Sequence, residues 1–176
     1  MQWLLDGYNV LRADPESRRA ETLAGRRGAG RGPLEAGRAA LVRRVAEAQR
    51  RSGDSFTIVF DGVRGRDVVA PGGPIDIVFS RPPAIADDVL IHLAGRYREG
   101  GIVVTSDRTI QTAARRAGAV VVTSEQFVAA LEEAGVDDAD EDVEDGAAHR
   151  GSPRRVSRDE RATARALTRL ARFRPE

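Results

Sequence analysis

A parallel α/β sheet covered by helices on both faces is the fold class this chain predicts, on three observations. Short apolar runs alternate along it with helical segments. The runs do not alternate apolar with polar residues, which is the pattern of strands buried on both faces. Three of them end in aspartate, a residue suited to the turn where a strand gives way to a helix.

The elements follow in order. Trp3-Leu4-Leu5 is the first strand, closed by Asp6-Gly7. Residues 13–32 are rich in Arg, Gly and Ala and predict a loop or a loosely held helix, with helical potential from Glu16 to Ala24. Pro33 sits where a helix can begin, and Leu34, Leu41, Val45 and Ala48 keep helical spacing over 34–51. Phe56 to Phe60 is the second strand, ending at Asp61-Gly62. A Pro/Gly-rich loop over 63–74 leads to a third strand, Ile75 to Phe79. Pro82-Pro83 opens a helix from about Ala84 to Arg98, stopped by Gly100-Gly101. Ile102 to Thr105 is the fourth strand, closed by Ser106-Asp107. A helix over 109–117 ends at Gly118, and Val120 to Val122 is the fifth strand. Ser124 is placed to cap a helix over 125–134. The folded domain is expected to span 1–135. Residues 136–156 read as an acidic disordered linker. Ser157 and Glu160 form a capping box for a last basic helix, 158–173, within a tail of 157–176.

Composition narrows the chemistry. The chain of 176 residues suits one domain with an appendage. It has no cysteine, which removes disulfides, thiol nucleophiles and cysteine-bound zinc, and it fits a reducing cytoplasm. All 28 basic residues are arginine, so chemistry that needs a catalytic lysine is excluded. No run approaches the roughly 20 apolar residues of a membrane span, and an acid at position 6 argues against a signal peptide. Charge is segregated: residues 132–145 hold nine acids and no base, whereas 150–176 hold nine arginines and three acids. Blocks of that kind are solvated or interacting segments rather than core.

The acids at strand ends carry the functional argument. Asp6, Asp61 and Asp107 each follow a strand, and Asp87-Asp88 lie in the first turn of the helix after the third strand. In a parallel sheet these positions share one edge, the edge where ligands bind. Aspartate also favours turns and helix N-termini for structural reasons, and Asp88 is either an accessory acid of the site or only a partner of the helix dipole. One such acid is explained easily in that way; four in one cleft repel each other unless a cation relieves them. Magnesium or manganese prefers carboxylate oxygens, and such an ion activates water and binds a phosphoryl oxygen.

Several classes gather acids like this, and the residues sort them. Phosphoaspartate receivers and most haloacid-dehalogenase-type phosphatases need a lysine, and the second class wants Asp-x-Asp where this chain has Asp6-Gly7-Tyr8. Neither Gly-Lys-Ser/Thr nor a Gly-x-Gly-x-x-Gly turn after the first strand is present. Metal-dependent phosphodiester chemistry remains.

Asp6-Gly7-Tyr8-Asn9 resembles the opening signature of NYN domains, a branch of the PIN-like nucleases. Val59-Phe60-Asp61-Gly62, Ile77-Val78-Phe79-Ser80, Ala86-Asp87-Asp88 and Val104-Thr105-Ser106-Asp107 follow in the order seen in its YacP-like group. The resemblance covers about residues 1–134. It implies a PIN-like three-layer α/β/α fold with a central parallel five-stranded sheet in the order 3-2-1-4-5. It also implies endoribonuclease activity, and some YacP-like members act on messenger RNA at the ribosome. Asp6, Asp87 and Asp107 match the family's metal-binding acids, Asn9 its asparagine and Asp61 its second strand-end acid. Family members often carry Glu where this chain has Asp88, whose reach is shorter.

On this reading Asp6, Asp87 and Asp107 are metal ligands, and Asp61 is an outer ligand or a base that orients water. The Asn9 amide bridges a ligand carboxylate and a phosphate oxygen. Ser106 either bonds a phosphate or metal-bound water, or only ties its turn. His92 is expected to be packed or half-exposed and His149 to be idle in the linker. Trp3 and Tyr8 are expected in the core, the alternative for Tyr8 being a stack on a base. Arg158, Arg161, Arg165, Arg169 and Arg172 recur at spacings of three and four, on one helical face. That face is an RNA grip, or it is the solvated side of an ordinary helix docked on the domain by Leu167 and Leu170 opposite. Arg18, Arg19, Arg26, Arg27 and Arg31 form a second basic segment near the cleft. The leading function is a metal-dependent RNA endonuclease. A catalytically weak RNA-binding or ribosome-associated module and a small-ester phosphatase are the alternatives.

Overall fold

The computed structural model describes residues 1–27, 32–62, 74–136 and 157–171. Its strands are β1 (Gln2–Asp6), β2 (Ser55–Phe60), β3 (Ile75–Phe79), β4 (Gly101–Val104) and β5 (Val120–Val122). The helices are α1 (Gly7–Ala13), α2 (Pro15–Arg27), α3 (Pro33–Ser52), α4 (Ala86–Tyr97), α5 (Arg108–Arg116), α6 (Ser124–Val136) and α7 (Arg158–Ala171). The strands form one parallel sheet in the order β3-β2-β1-β4-β5. This is the topology implied by the resemblance.

Strand periodicity divides the core. Trp3, Leu5, Phe56, Ile58, Phe60, Ile102, Val104 and Val122 face α1, α3, α6 and α7. Leu4, Val59, Val103 and Val121 face α4 and α5 through Leu90, Ala94, Ile110 and Ala114. With few aromatic residues, the large rings are grouped. Trp3 is fully buried and lies 5.9 Å from the Phe56 ring and 5.6 Å from that of Phe127. The chain leaves α3 through Gly53, whose φ of +66° is the left-handed conformation that ends a helix cheaply only at glycine.

Three departures from the sequence reading have local causes. Helix α1 starts directly at Gly7, where only the end of a strand was expected. Gly7 and Asn9 are poor helix formers, but burial of Val10 and Leu11 outweighs that weak preference. Residues 15–27 form a regular helix rather than a loose segment. Asp14, fully buried, accepts from the Ser17 amide at 3.1 Å and is ion-paired to Arg44 of α3. Thr123, not Ser124, caps α6: its hydroxyl accepts from the Gln126 amide while the Gln126 side chain accepts from the Thr123 amide. The capping box of Ser157 and Glu160 forms as expected. The loop at 63–73, Arg31, most of the 136–156 linker, His149, Arg172 and Phe173 lie outside the described residues.

Helix α7 packs on the sheet domain through its apolar residues. Leu170 is fully buried and Ala166 nearly so, both in the same core as Trp3. The Thr163 hydroxyl donates to the Val121 carbonyl of the edge strand at 2.8 Å. Both Arg169 Nε and Nη2 donate to the carboxylate of Asp54, at 3.0 and 2.8 Å. Asp54 also accepts from the N-terminal ammonium at 2.7 Å and from the Trp3 indole at 3.1 Å. Burial alone would raise the Asp54 pKa, but bonds from Arg169, the N-terminus and Trp3 outweigh it and hold the carboxyl below its usual value.

Candidate active site at the carboxyl edge of the sheet

Strand β1 lies between β2 and β4, and the chain turns from one side of it to the other, so its carboxyl end is the sheet's switch point. Asp6 stands there, 6% exposed. It caps α1: Oδ1 accepts from the Asn9 amide at 3.1 Å, and Oδ2 accepts from the Asn9 side-chain amide. The Thr105 hydroxyl donates to the same Oδ2 at 3.0 Å. Gly7 is required beside it, because a Cβ there would lie 2.8 Å from the Val59 carbonyl and strike the Phe60 ring.

Thr105 is a residue that sequence reasoning left without a role. It is fully buried, bonds Asp6 and accepts from the Asp107 amide at 3.1 Å, so it links two of the acids. A lone polar residue closing the run Ile102-Val103-Val104 was the available signal. Asp107 caps α5 through Oδ1, which accepts from Thr109 and Ile110 amides at 2.6 and 3.2 Å. Asp61 Oδ1 accepts from the Ser80 hydroxyl at 2.8 Å and from the Ala86 amide at 2.6 Å. It therefore anchors the first residue of the helix that bears Asp87. Asp88 reaches back to the Ile85 amide at 3.3 Å. Ser106 donates to Glu125 at 2.8 Å and accepts from the Ser124 amide at 3.3 Å, which is the turn-tying arrangement.

Asp87 differs from the others: among the described residues its carboxylate accepts no hydrogen bond. Its pKa is raised, first by burial and then by the charges of Asp6, Asp107, Asp61 and Asp88. The acids singled out from sequence thus share one edge and one field. Among the described residues, no three acidic or histidine side chains stand close enough to enclose a single ion. A magnesium ion does not demand such a cage, since it keeps several waters and takes one or two carboxylates directly. The donor set here is all oxygen, which suits that ion or manganese.

The arginine face of α7 divides. Arg158, Arg161 and Arg165 are exposed, with Arg158 only 3.9 Å from the equally exposed Glu99. Arg169 is committed to Asp54 and is not part of a free basic surface. No described helix is long and apolar enough to cross a membrane.

A model of the YacP-like NYN domain matches residues 3–174. Two crystal structures of Rae1 (YacP) from Bacillus subtilis are similar in fold. One, a point variant, shares 18% identity with a TM-score of 0.58 over 97% of this chain and 92% of that one. The other shares 24% identity with a TM-score of 0.60 over 78% of each chain. No curated protein matches.

Proposed function

The chain belongs to the YacP-like NYN domain family of PIN-like nucleases, and we propose that it is a magnesium- or manganese-dependent endoribonuclease. The observation that carries this reading is the field at Asp87, where four further carboxylates act on one acid that no hydrogen bond satisfies among the described residues. Such an arrangement is costly unless a cation enters it. Asp6, Asp87 and Asp107 are the acids that would hold the ion, one or two of them directly and the remainder through its bound waters. When bound, the ion supplies a Lewis acid for a phosphoryl oxygen and lowers the pKa of attacking water.

The chain's own groups do the positioning. Asn9 and Thr105 fix the Asp6 carboxylate, leaving the second N–H of the Asn9 amide to orient an RNA phosphate. Asp61, held to Ser80 and Ala86, sets the start of α4. Messenger RNA at the ribosome is the substrate setting this reading favours, and the cytoplasm its location. Purified protein is expected to cut single-stranded RNA internally with manganese or magnesium and to stop when the metal is chelated. Metal-indifferent RNA binding without cleavage would favour the binding module. Preference for a free monophosphate would favour the phosphatase.

Arg161 and Arg165 are the α7 residues proposed to contact phosphates, their side chains being exposed. Losing two contacts to single-stranded RNA should reduce the slope of log affinity against log salt by about 1.4. The double variant Arg161→Gln/Arg165→Gln is therefore expected to bind RNA more weakly at low salt, with that shallower slope. A titration at two salt concentrations checks it; an unchanged slope removes both residues from the interface.

A further inference from the structure

We propose that Arg38 is a positioning residue for the acid edge: it fixes Tyr8, and Tyr8 holds the turn at Asp61 that anchors the helix bearing Asp87. Its effect on cleavage rests on the nuclease reading; its effect on geometry does not.

Arg38 lies in the second turn of α3 and is 6% exposed. Its guanidinium carbon is 5.2, 5.3 and 5.5 Å from the ring centroids of Tyr8, Phe60 and Phe79. Nη2 donates to the Tyr8 hydroxyl, and Nε is buried without a partner. Among the described residues no carboxylate pairs with this cation. Arg44, also buried in α3, shows the usual solution, an ion pair with Asp14. Burying a guanidinium without a counter-ion is costly, and aromatic faces offset only part of the lost hydration. An apolar side chain would fill the same space without that cost, so packing alone does not account for Arg38.

The contacts beyond it lead to the acids. The Tyr8 hydroxyl accepts from Arg38 and donates to the Asp61 carbonyl at 3.4 Å. A phenol bonded to a cation is a stronger donor than a free one. Asp61 in turn receives the Ser80 hydroxyl and the Ala86 amide, and Asp87 follows Ala86 directly. Tyr8 is also two residues from Asp6. One buried cation thus braces a ring between the β1 and β2 ends of the cleft.

The test uses the full chain and three variants. Arg38→Met removes charge and donor but keeps the stem. Tyr8→Phe removes one oxygen and keeps the ring contacts, so it serves even where Arg38→Met does not fold. Arg38→Lys restores a charge and a donor. Amide exchange at Ala86 is measured without RNA or metal, and kcat and KM for RNA cleavage are measured with manganese. In the Met and Phe variants Ala86 exchange is expected to quicken by about 10-fold, the scale of one hydrogen bond, with Leu90 and Val103 unchanged. The kcat is expected to fall by about 10-fold, with KM little changed and partial recovery in Arg38→Lys. Unchanged Ala86 exchange in both variants would overturn the proposal. So would a uniform quickening across the core, which would mark Arg38 as merely structural. If the unsubstituted protein cuts no RNA, the nuclease reading fails and the exchange data still decide the geometric claim.

Discussion

Replacing Asp87 with asparagine is expected to reduce RNA cleavage by about 10²–10³-fold while leaving the protein folded, because on the proposed function the variant loses one of the carboxylates that would hold the metal. The same change should raise the melting temperature in the absence of metal. Burial and four neighbouring acids lift the Asp87 pKa in the folded state. A carboxyl whose folded pKa is raised contributes stability that is present below the unfolded pKa and lost as pH rises through the folded one. At pH above the raised folded value the metal-free protein bears that loss, and asparagine removes it. The gap between the two proteins should therefore narrow as pH falls below the raised Asp87 pKa. Manganese should reverse the order, since an ion that binds only the folded state stabilises the protein that holds it better. Cleavage assays beside melts at two pH values, with and without manganese, check every part. Unimpaired cleavage would remove Asp87 from the reaction, and a lower metal-free melting temperature would make it a structural acid.

Parallel strands are legible in this sequence. Each strand is a short, mostly apolar run, broken only at isolated positions such as Thr57 in β2 and Asp76 in β3, and its boundaries fall within a residue of those expected. Once the strands run parallel, an acid after each must fall on one edge, so Asp6, Asp61, Asp87 and Asp107 could be grouped without coordinates. What escaped depends on contacts distant in sequence. Thr105 meets Asp6 across 99 residues, and Arg38 meets Tyr8 across 30. Neither pairing leaves a periodic trace. The docking of α7 was one of two alternatives its composition left open: Leu167 and Leu170 point to docking and the arginine spacing to an RNA grip, and the small alanines of the packed face do not decide between them. Asp54, the partner of Arg169, reads in sequence as an ordinary turn residue between Gly53 and Ser55.

Truncation after Ala134, which the apolar pattern alone would allow, is accordingly expected to destabilise the domain. It removes fully buried Leu170 from the core, uncovers the Val121 carbonyl and takes Arg169 from Asp54. Loss of a buried leucine side chain costs about 2–5 kcal/mol. Loss of Arg169 costs less than a wholly buried ion pair, about 1–3 kcal/mol, because its side chain is 38% exposed and the N-terminal ammonium and the Trp3 indole still face Asp54. At about 2–4 °C per kcal/mol for a chain of this size, the melting temperature should drop by about 6–30 °C. Leu170→Ala and Arg169→Met separate the two contributions, and pH separates them again. The Asp54 pKa is depressed in the fold, so its contribution is present above the unfolded carboxylate pKa and is lost as pH falls through the folded value. Arg169→Met should therefore cost most at neutral pH and progressively less in acid, whereas the cost of Leu170→Ala should hardly vary. A truncated chain that melts with the full one, yet binds RNA more weakly with a shallower salt slope, would return α7 to the role of a tethered RNA grip.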